Sequence, residues 1–412
     1  MQIAVDLHSH SGYAGGVGDI SLKDICRSMS YKGIKVFGTG DCILPQRSKE
    51  LQEELKYSDR GLYRLNKEDN ELFLLQTEII LTLSLPEYKN KIVAHHVLLI
   101  PDFSVVEKIQ LLMNKWKQKN TIGRPFIVNS CLSELEDRLF ELQATDKYLE
   151  IIPAHIMTPD GLMGSKNMLR EMKEFYGDFT PNIHALETGL SSDPLMLSKL
   201  SGMNELAMIS SSDCHSAALN RIGREFTVLE SEDLSYTGII EAIRGRKIVM
   251  TAEFDPREGR YYYSGHRAGK GIHEEHVLFR DDVPEDYICP VCGKKLTVGV
   301  YDRCKQLAQS KASRVQDFIH LIPLIDVTAY GMGIKSSANK KVTEEYFKMI
   351  DIFDTEINLW RSEIKEIRSR LDGKVKSQVI NKIIAVKEKR FTYEPAGFDG
   401  LYGNLIIEDK LI

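Results

Sequence analysis

The run "AVDLHSHSGYAGG" at residues 4–16 decides how the rest of the chain is read. Its first residues are apolar and strand-like, and His8 and His10 follow one residue apart, just where the strand gives way to a Ser/Gly-rich loop. Two readings are open. The pair are metal ligands, or they are polar residues at a fraying strand end. The choice depends on which residues stand at the ends of the other strands.

Those strands come in a regular order. "SLKDICRSMSYKG" (21–33) reads as a helix with Ser21 as N-cap and Gly33 as its stop. After it come "IKVFGTG", "ELFLLQTEIIL", "KIVAHHVLLI", the helical run "SVVEKIQLLMNKWKQ", then "EIIPAH", "NIHALET", "LAMISSSD" and "REFTVLE". Alternation of this kind over residues 1–255 predicts a parallel sheet with covering helices, most economically closed into a barrel.

Nearly every one of these strands ends on a potential ligand: His8 and His10, Asp41, Glu78, His95 and His96, His155, Glu187, and Asp213 with His215. In a barrel of this type the C-terminal strand ends meet at one mouth. Imidazole and carboxylate together are ligands for zinc, manganese and iron, and a carboxylate can bridge ions about 3.5–4 Å apart. Singly, each residue has an ordinary alternative; "SDCH", for instance, reads as an N-cap and a turn. Jointly they favour a metal site, because most of the eleven histidines would otherwise need separate reasons to sit after buried strands.

Composition narrows the class. A chain of 412 residues with 42% hydrophobic content exceeds one ordinary domain, and a net charge of −5 excludes a polycation wrapped on nucleic acid. Nothing approaches the ~18 consecutive apolar residues of a membrane span, and no leader precedes the first strand, so no membrane partner and a cytoplasmic location are expected. The seven cysteines are odd in number and scattered, unlike a secreted disulfide framework.

The ligand set, in its order, resembles the PHP (polymerase and histidinol phosphatase) superfamily of phosphoesterases. The resemblance implies a distorted (β/α)7 barrel with metal-binding, catalytic strand ends at His8, His10, Asp41, Glu78, His96, His155, Asp213 and His215. His96 is preferred over His95 because the family histidine precedes an apolar pair, as in "HVLL". One departure is that the superfamily has a further histidine at or shortly after the Asp, where "GDCILPQ" offers Leu44; this leaves the occupancy of one metal position open.

A narrower resemblance covers essentially the whole chain. "GTGD", "HHVLLIP", "IIPAHIMTP", "GSK" (164–166), "ETGLSSDP", "SSSDCHS", "GHR", "CPVCGKKLTVGV", "FIHLIPL" and "GFDGLYG" are similar to the endonuclease Q family. It implies an α/β protein in three parts: a PHP domain over 1–255, a small zinc-binding module over 256–304, and a C-terminal helical region over 305–412 contributing to DNA binding. It further implies metal-dependent cleavage 5′ to deaminated bases or abasic sites in double- or single-stranded DNA, with Mg²⁺ or Mn²⁺ for catalysis and zinc in the structural and active sites. A nucleoid-associated monomer, with a sliding clamp or other repair proteins as candidate partners, fits the same resemblance. Asn129, Ser130 and the 156–166 loop, beside strand ends, are candidates for the base pocket. Ser165 and Lys166 open the helical pattern "KNMLREMKEF" and are candidate phosphate ligands, against the alternative of a capped surface helix.

Residues 256–300 change texture, with many Gly, Tyr, His and charged residues and little apolar periodicity; such a segment needs a staple. "CPVC" places Cys289 and Cys292 at zinc-knuckle spacing. Endonuclease Q relatives carry a second cysteine pair after "GHR"; here that stretch has none, but His273 and His276 stand in it. The expected site is therefore His273, His276, Cys289 and Cys292, with His266 and Cys304 as substitutes. Nearby Arg257, Arg260, Arg267, Lys270, Lys294 and Lys295, interleaved with Tyr261–Tyr263, suit phosphate contacts and base stacking, although a solvated loop explains them too. In the last part Phe347, Ile350, Phe353, Ile357, Trp360, Ile364, Ile367 and Leu371 recur at helical spacing.

Two other functions compete. One is a phosphoesterase for small phosphomonoesters, which leaves the zinc module and basic residues without a role. The other is a non-catalytic nucleic-acid-binding protein, which leaves eight expected ligands unexplained.

Overall fold

The computed structural model describes residues 1–408 apart from 16, 17, 19, 59 and 310–314. Its frame is one large mixed sheet. Gln2–Asp6 runs parallel to Val36–Gly38, which runs parallel to Leu72–Leu83. Beyond that, Leu72–Leu83 is antiparallel to Ile92–Ile100, and Ile92–Ile100 is antiparallel to Glu150–Pro153. On the other flank Gln2–Asp6 is antiparallel to Phe226–Glu230, which is antiparallel to Ile248–Glu253. The expectation of a purely parallel sheet is therefore corrected. Only "PEYKN" and its neighbours separate "ELFLLQTEIIL" from "KIVAHHVLLI", too short a stretch for a parallel crossover, so those strands form a hairpin.

Ala185–Glu187 and Ala207–Ile209 form a separate parallel pair. Hydrogen bonds tie this pair to the large sheet on both sides: Ile156 N donates to Glu187 O at 3.1 Å, and Ser210 N donates to Thr227 Oγ1 at 2.8 Å.

All twelve residues of Leu72–Leu83 are buried, which explains why that strand reads as a continuous apolar run rather than an alternation. Its odd positions, Phe73, Leu75, Ile79 and Leu81, pack under the covering helices. Its even positions Leu72 and Leu74 join Val5, Leu7, Leu99, Ile152, Ala185 and Ile209 in a second core on the opposite face. Each fully buried Leu or Ile there contributes about 1.5–3 kcal/mol over exposure. Continuing along that inner face, the even positions become Gln76 and Glu78. One end of the interior is thus apolar and the other polar.

The expected helix forms as Leu22–Lys32: Ser21 Oγ accepts from Asp24 N at 3.1 Å, and Gly33 at φ 87° ends it. Its Lys32 Nζ lies 2.8 Å from Glu356 Oε2, both buried, which fastens the C-terminal helices to the sheet domain. Those helices, including Lys340–Phe353, Ile364–Leu371 and Ser377–Lys387, enclose a core of their own. The helical spacing read from sequence is broken twice: at Asp354, φ 66°, where Thr355 caps the helix Glu356–Arg361, and at Ser362 and Glu363, whose extended backbone separates that helix from Ile364–Leu371. Between the two regions lie a hairpin of Ser264–His266 with Val277–Phe279 and the helix Val300–Leu307, whose Val300, Cys304 and Leu307 pack into the core of the sheet domain. No helix among the described residues is long and apolar enough to cross a membrane.

Candidate metal centre

His8 and His10 leave the Gln2–Asp6 strand in extended chain, so their period of two aims both at the polar end of the interior. Both are buried, with ring centroids 5.3 Å apart. Each is held at Nδ1 by a carboxylate: His8 by Glu187 Oε2 at 3.0 Å and His10 by Asp41 Oδ1 at 3.4 Å. That fixes which ring nitrogen is left over. His8 Nε2 points toward Glu78 Oε1 at 3.9 Å and Asp213 Oδ1 at 3.8 Å, and His10 Nε2 lies 3.1 Å from Asp213 Oδ1 and 3.5 Å from Glu78 Oε2.

On the other side of Glu78, Oε1 is 2.6 Å from His95 Nδ1 and 3.3 Å from His155 Nε2. Three groups of ligand atoms result, each within 4.8 Å: His8, His10 and Glu78; His10, Asp213 and His215; Glu78, His95 and His155. Glu78 and His10 each belong to two groups, so the three adjoin.

The backbone around this centre is unusual. Asp41 at φ 54°, His155 at φ 31° and Asp213 at φ 46° all occupy the left-handed region, which costs non-glycine residues energy and persists where surrounding structure enforces it. One enforcing contact is visible at Gly189: a Cβ there would fall 2.4 Å from His155 Cβ, so only the bare backbone lets this loop press on the histidine. Gln76 Oε1 accepts from Ser9 N at 3.2 Å and Gly40 N at 3.1 Å, joining two strand ends below the site.

The electrostatics fit cations. His8 Nε2, Glu78 Oε2 and Asp213 Oδ1 are buried without a hydrogen bond among the described residues. Burial alone would push His8 and His10 toward neutrality. The surrounding carboxylates outweigh it, Glu187 and Asp213 chiefly at His8 and Asp213 and Asp41 at His10, and raise them to about 10 and about 9. Burial would likewise raise Glu78 and Asp213, but the facing histidines hold both below the usual carboxylate range. A buried set of His and carboxylate groups that must hold protons to stay neutral is one where cations can take their place.

Two expected ligands are corrected. His96 faces the other way: its Nε2 is 2.6 Å from Tyr176 Oη, it stacks on Phe175, and burial lowers it to about 3. Strand alternation is the reason, since in the pairing of Glu78 with Val97 the residue sharing the inner face is His95, two positions before Val97. Asp41 is fully engaged, one oxygen toward His10 and the other accepting from Ser11 N at 2.8 Å and Ser11 Oγ at 2.6 Å, so it orients His10 and joins none of the three groups. Leu44, the residue noted above near Asp41, is packed in the core and supplies no ligand.

The substrate candidates fare unevenly. Asn129 is buried, its amide donating to Thr82 O and Ile127 O while its oxygen accepts from Arg138, so it cannot line a base pocket. Ser165 Oγ donates to Val298 O at 3.3 Å and Lys166 pairs with Asp160 at 2.8 Å. Residues 166–172 are turns, bends and irregular chain and only Lys173–Tyr176 is α-helical there, so no helix N-terminus is present at Ser165 to hold a phosphate. Arg267 is exposed, its guanidinium 3.4 Å from where a Cβ on Gly400 would sit.

A second cluster lies in the middle segment. One ligand atom each from His266, His273, Cys289 and Cys292 falls within 4.8 Å of the others. His266 Nδ1 is 3.1 Å from His273 Nε2, Cys289 Sγ is 3.6 Å from His273 Nε2, and Cys292 Sγ is 3.5 Å from His266 Nδ1. The expected His276 is displaced by His266: its Nδ1 accepts from Ala268 N at 2.9 Å and its ring meets Phe398 edge-on. His266 ends the strand Ser264–His266 and its Nε2 bonds Lys295 O at 3.0 Å, which aims Nδ1 at the cysteines. Cys304 sits away in the helix Val300–Leu307.

Arg124, half-buried with Nη1 3.7 Å from Glu78 Oε2, was not singled out from sequence; "TIGRPF" carries no pattern that marks it.

No family model matches the chain. The chain is 28% identical over 348 residues to the uncharacterized protein YqxK of Bacillus subtilis, covering 80% of this chain and 84% of that one. It is 28% identical over 257 residues to the uncharacterized protein MJ0043 of Methanocaldococcus jannaschii, 60% of this chain but 31% of that protein. Solved structures match over its length, and two of them are informative. One is the lesion-specific endonuclease PfuEndoQ from Pyrococcus furiosus, with TM-score 0.82 and 27% identity, covering 99% of this chain and 96% of that one. The other is endonuclease Q in complex with a 27-mer duplex substrate carrying an abasic lesion at the active site, with TM-score 0.82 and 27% identity, covering 99% and 97%.

Proposed function

We propose, from its end-to-end likeness to endonuclease Q, that this chain is a lesion-specific DNA-repair endonuclease, a metal-dependent phosphodiester hydrolase. The observation that carries the reading is the coincidence of that likeness with three adjoining ligand groups built around Glu78 and His10. In finer detail, the substrate is double- or single-stranded DNA containing deoxyinosine, deoxyuridine, deoxyxanthosine or an abasic site. Cleavage is 5′ to the lesion and leaves 3′-hydroxyl and 5′-phosphate ends.

The proposed ligands are His8, His10, Glu78, His95, His155, Asp213 and His215. Cations there would supply Lewis acidity and an activated water, with Mg²⁺ or Mn²⁺ as the catalytic ions and zinc a further candidate. The chain's own part is preorganisation. Glu187 and Asp41 orient His8 and His10, while Glu187 Oε2 also accepts from His155 N at 3.0 Å, so one carboxylate fixes two strand ends. A lesion must leave the base stack to be inspected, at a cost of a few kcal/mol that is least for damaged nucleotides. Arg267 and its aromatic neighbours suit the DNA flanking the site.

The sheet domain corresponds in this reading to a distorted PHP barrel over 1–255, followed by the zinc module over 256–304 and the helical region over 305–412. His266, His273, Cys289 and Cys292 would hold a structural zinc, two imidazoles and two thiolates being a donor set suited to that ion in a segment poor in core. The protein would act as a monomer in the cytoplasm on the nucleoid, with a sliding clamp or other repair proteins as candidate partners. Labelled duplexes with one deoxyinosine, deoxyuridine or abasic site, incubated with Mg²⁺ or Mn²⁺ and mapped at nucleotide resolution, test the reading. A nick 3′ to the lesion, or none while a phosphomonoester is hydrolysed, rejects it.

A further inference from the structure

We infer that Arg124 is a catalytic residue that grips a non-bridging oxygen of the scissile phosphate; the inference rests on the proposed phosphodiesterase function.

The metal centre is otherwise made of imidazoles and carboxylates, which hold cations but donate little to a phosphate. Arg124 differs. Its side chain is 22% exposed and its Nε is buried with no hydrogen bond among the described residues. Its ion pair, Nη1 to Glu78 Oε2, is 3.7 Å long, beyond a hydrogen bond. A guanidinium drawn partly out of water without donating costs energy unless an anion arrives to use its fork. Glu78 cannot be that anion once it serves cations, since its oxygens belong to two ligand groups. A phosphate bound over those groups would lie against the same fork.

The placement is rigid. Gly123 has φ 78°, and a Cβ on it would fall 2.5 Å from Asp41 Cγ, so only glycine lets this backbone press against the residue that orients His10. Thr77 Oγ1 donates to Gly123 O at 3.4 Å, and Ile80 N donates to Pro125 O at 2.9 Å. The main chain is pinned on both sides of Arg124 to the strand that carries Glu78. An element fixed this firmly positions a side chain as catalysis requires.

In the reaction the water oxygen forms a bond to phosphorus and the bond from phosphorus to the 3′ oxygen breaks. That oxygen takes a proton originating from the water and leaves as the 3′-hydroxyl of the upstream strand, while the phosphate stays on the 5′ oxygen of the downstream nucleotide. Negative charge on the non-bridging oxygens is greatest between these states, and a planar double donor stabilises it more than a point charge does.

The test uses the full chain loaded with Mn²⁺ and lesion duplexes whose scissile phosphate is normal or a single phosphorothioate diastereomer. Arg124→Ala should lower kcat by roughly 10²–10³-fold, the usual loss for one transition-state donor, with KM and metal content little changed. Arg124→Lys should recover part of it. In the unmodified protein one diastereomer should be cleaved more slowly than the other, and that difference should collapse in Arg124→Ala; because the diastereomers are compared within one protein, partial misfolding cancels. Unchanged kcat, an undiminished diastereomer difference, or loss of metal in the variants overturns the inference while leaving the endonuclease reading intact. Failure of the unmodified protein to nick overturns that reading and this inference with it.

Discussion

Glu187 Oε2 lies 3.0 Å from His8 Nδ1 and also 3.0 Å from His155 N, so one buried carboxylate sets the aim of the His8 ring and the position of the His155 backbone. Glu187→Gln keeps the shape but removes the charge that makes His8 Nε2 basic. Divalent-cation affinity should fall about 10–100-fold, as for other partners of metal-bound histidine, with the far-UV spectrum unchanged. Calorimetric titration with Mn²⁺ measures this, and unaltered affinity would show that Glu187 does not act through His8.

Adjacent histidines should behave oppositely. His95→Ala should reduce metal content and nicking without much effect on stability, because His95 bonds Glu78 within the site. His96→Ala should lower stability by about 2–4 kcal/mol, since it removes the partner of Tyr176 Oη and leaves a cavity beside Phe175, while the folded fraction keeps its metal. Denaturant melts with elemental analysis of both variants decide it; equal metal loss in both would contradict the assigned strand face.

In the middle segment, His266→Ala or Cys289→Ser should each remove one zinc equivalent, and His276→Ala should not. Chelation should open residues 260–300 to protease. An unchanged digestion pattern, or zinc loss in His276→Ala, would refute the ligand set.

A pH effect is expected away from the metal centre. Glu253 is buried, accepting from Thr188 Oγ1 and Ser210 Oγ at 2.9 Å, and burial raises it from an ordinary 4.5 to about 7. Burial and the nearby Glu253 charge raise Glu225 as well. A carboxyl raised on folding binds more protons folded than unfolded, so its contribution to stability falls as pH rises from about 4.5 through about 7. Glu253→Gln, neutral throughout, should flatten the fall between pH 5 and pH 8 in denaturant titrations. A slope equal to that of the unmodified protein would exclude Glu253 as its source.

Much of the site was legible in the sequence because buried strands stand out as apolar runs, and the residue after each run marks a strand end. That logic picks out His8, His10, Glu78, His155, Asp213 and His215, which the structure brings into the adjoining groups. The errors have physical causes. In "AHHV" two histidines alternate across a strand, and only the register with Glu78 tells which faces inward. Asp41 has a ligand's chemistry, but its oxygens are claimed by Ser11 and His10, a matter of distances that spacing does not carry. His276 loses to His266 because the hairpin brings residues distant in sequence beside the knuckle. Arg124 comes after a glycine whose role depends on touching Asp41, a contact between segments some eighty residues apart.

The central claim is that lesion cleavage depends on the cations held by this centre, and His8→Ala tests it most directly. On a Mn²⁺-supplemented duplex with one deoxyinosine, the unmodified protein should nick 5′ to the lesion and leave a 3′-hydroxyl, while His8→Ala should still bind the same duplex through contacts elsewhere on the protein and leave it uncut. Equal nicking by His8→Ala, or no lesion-dependent nick by the unmodified protein, would contradict the account.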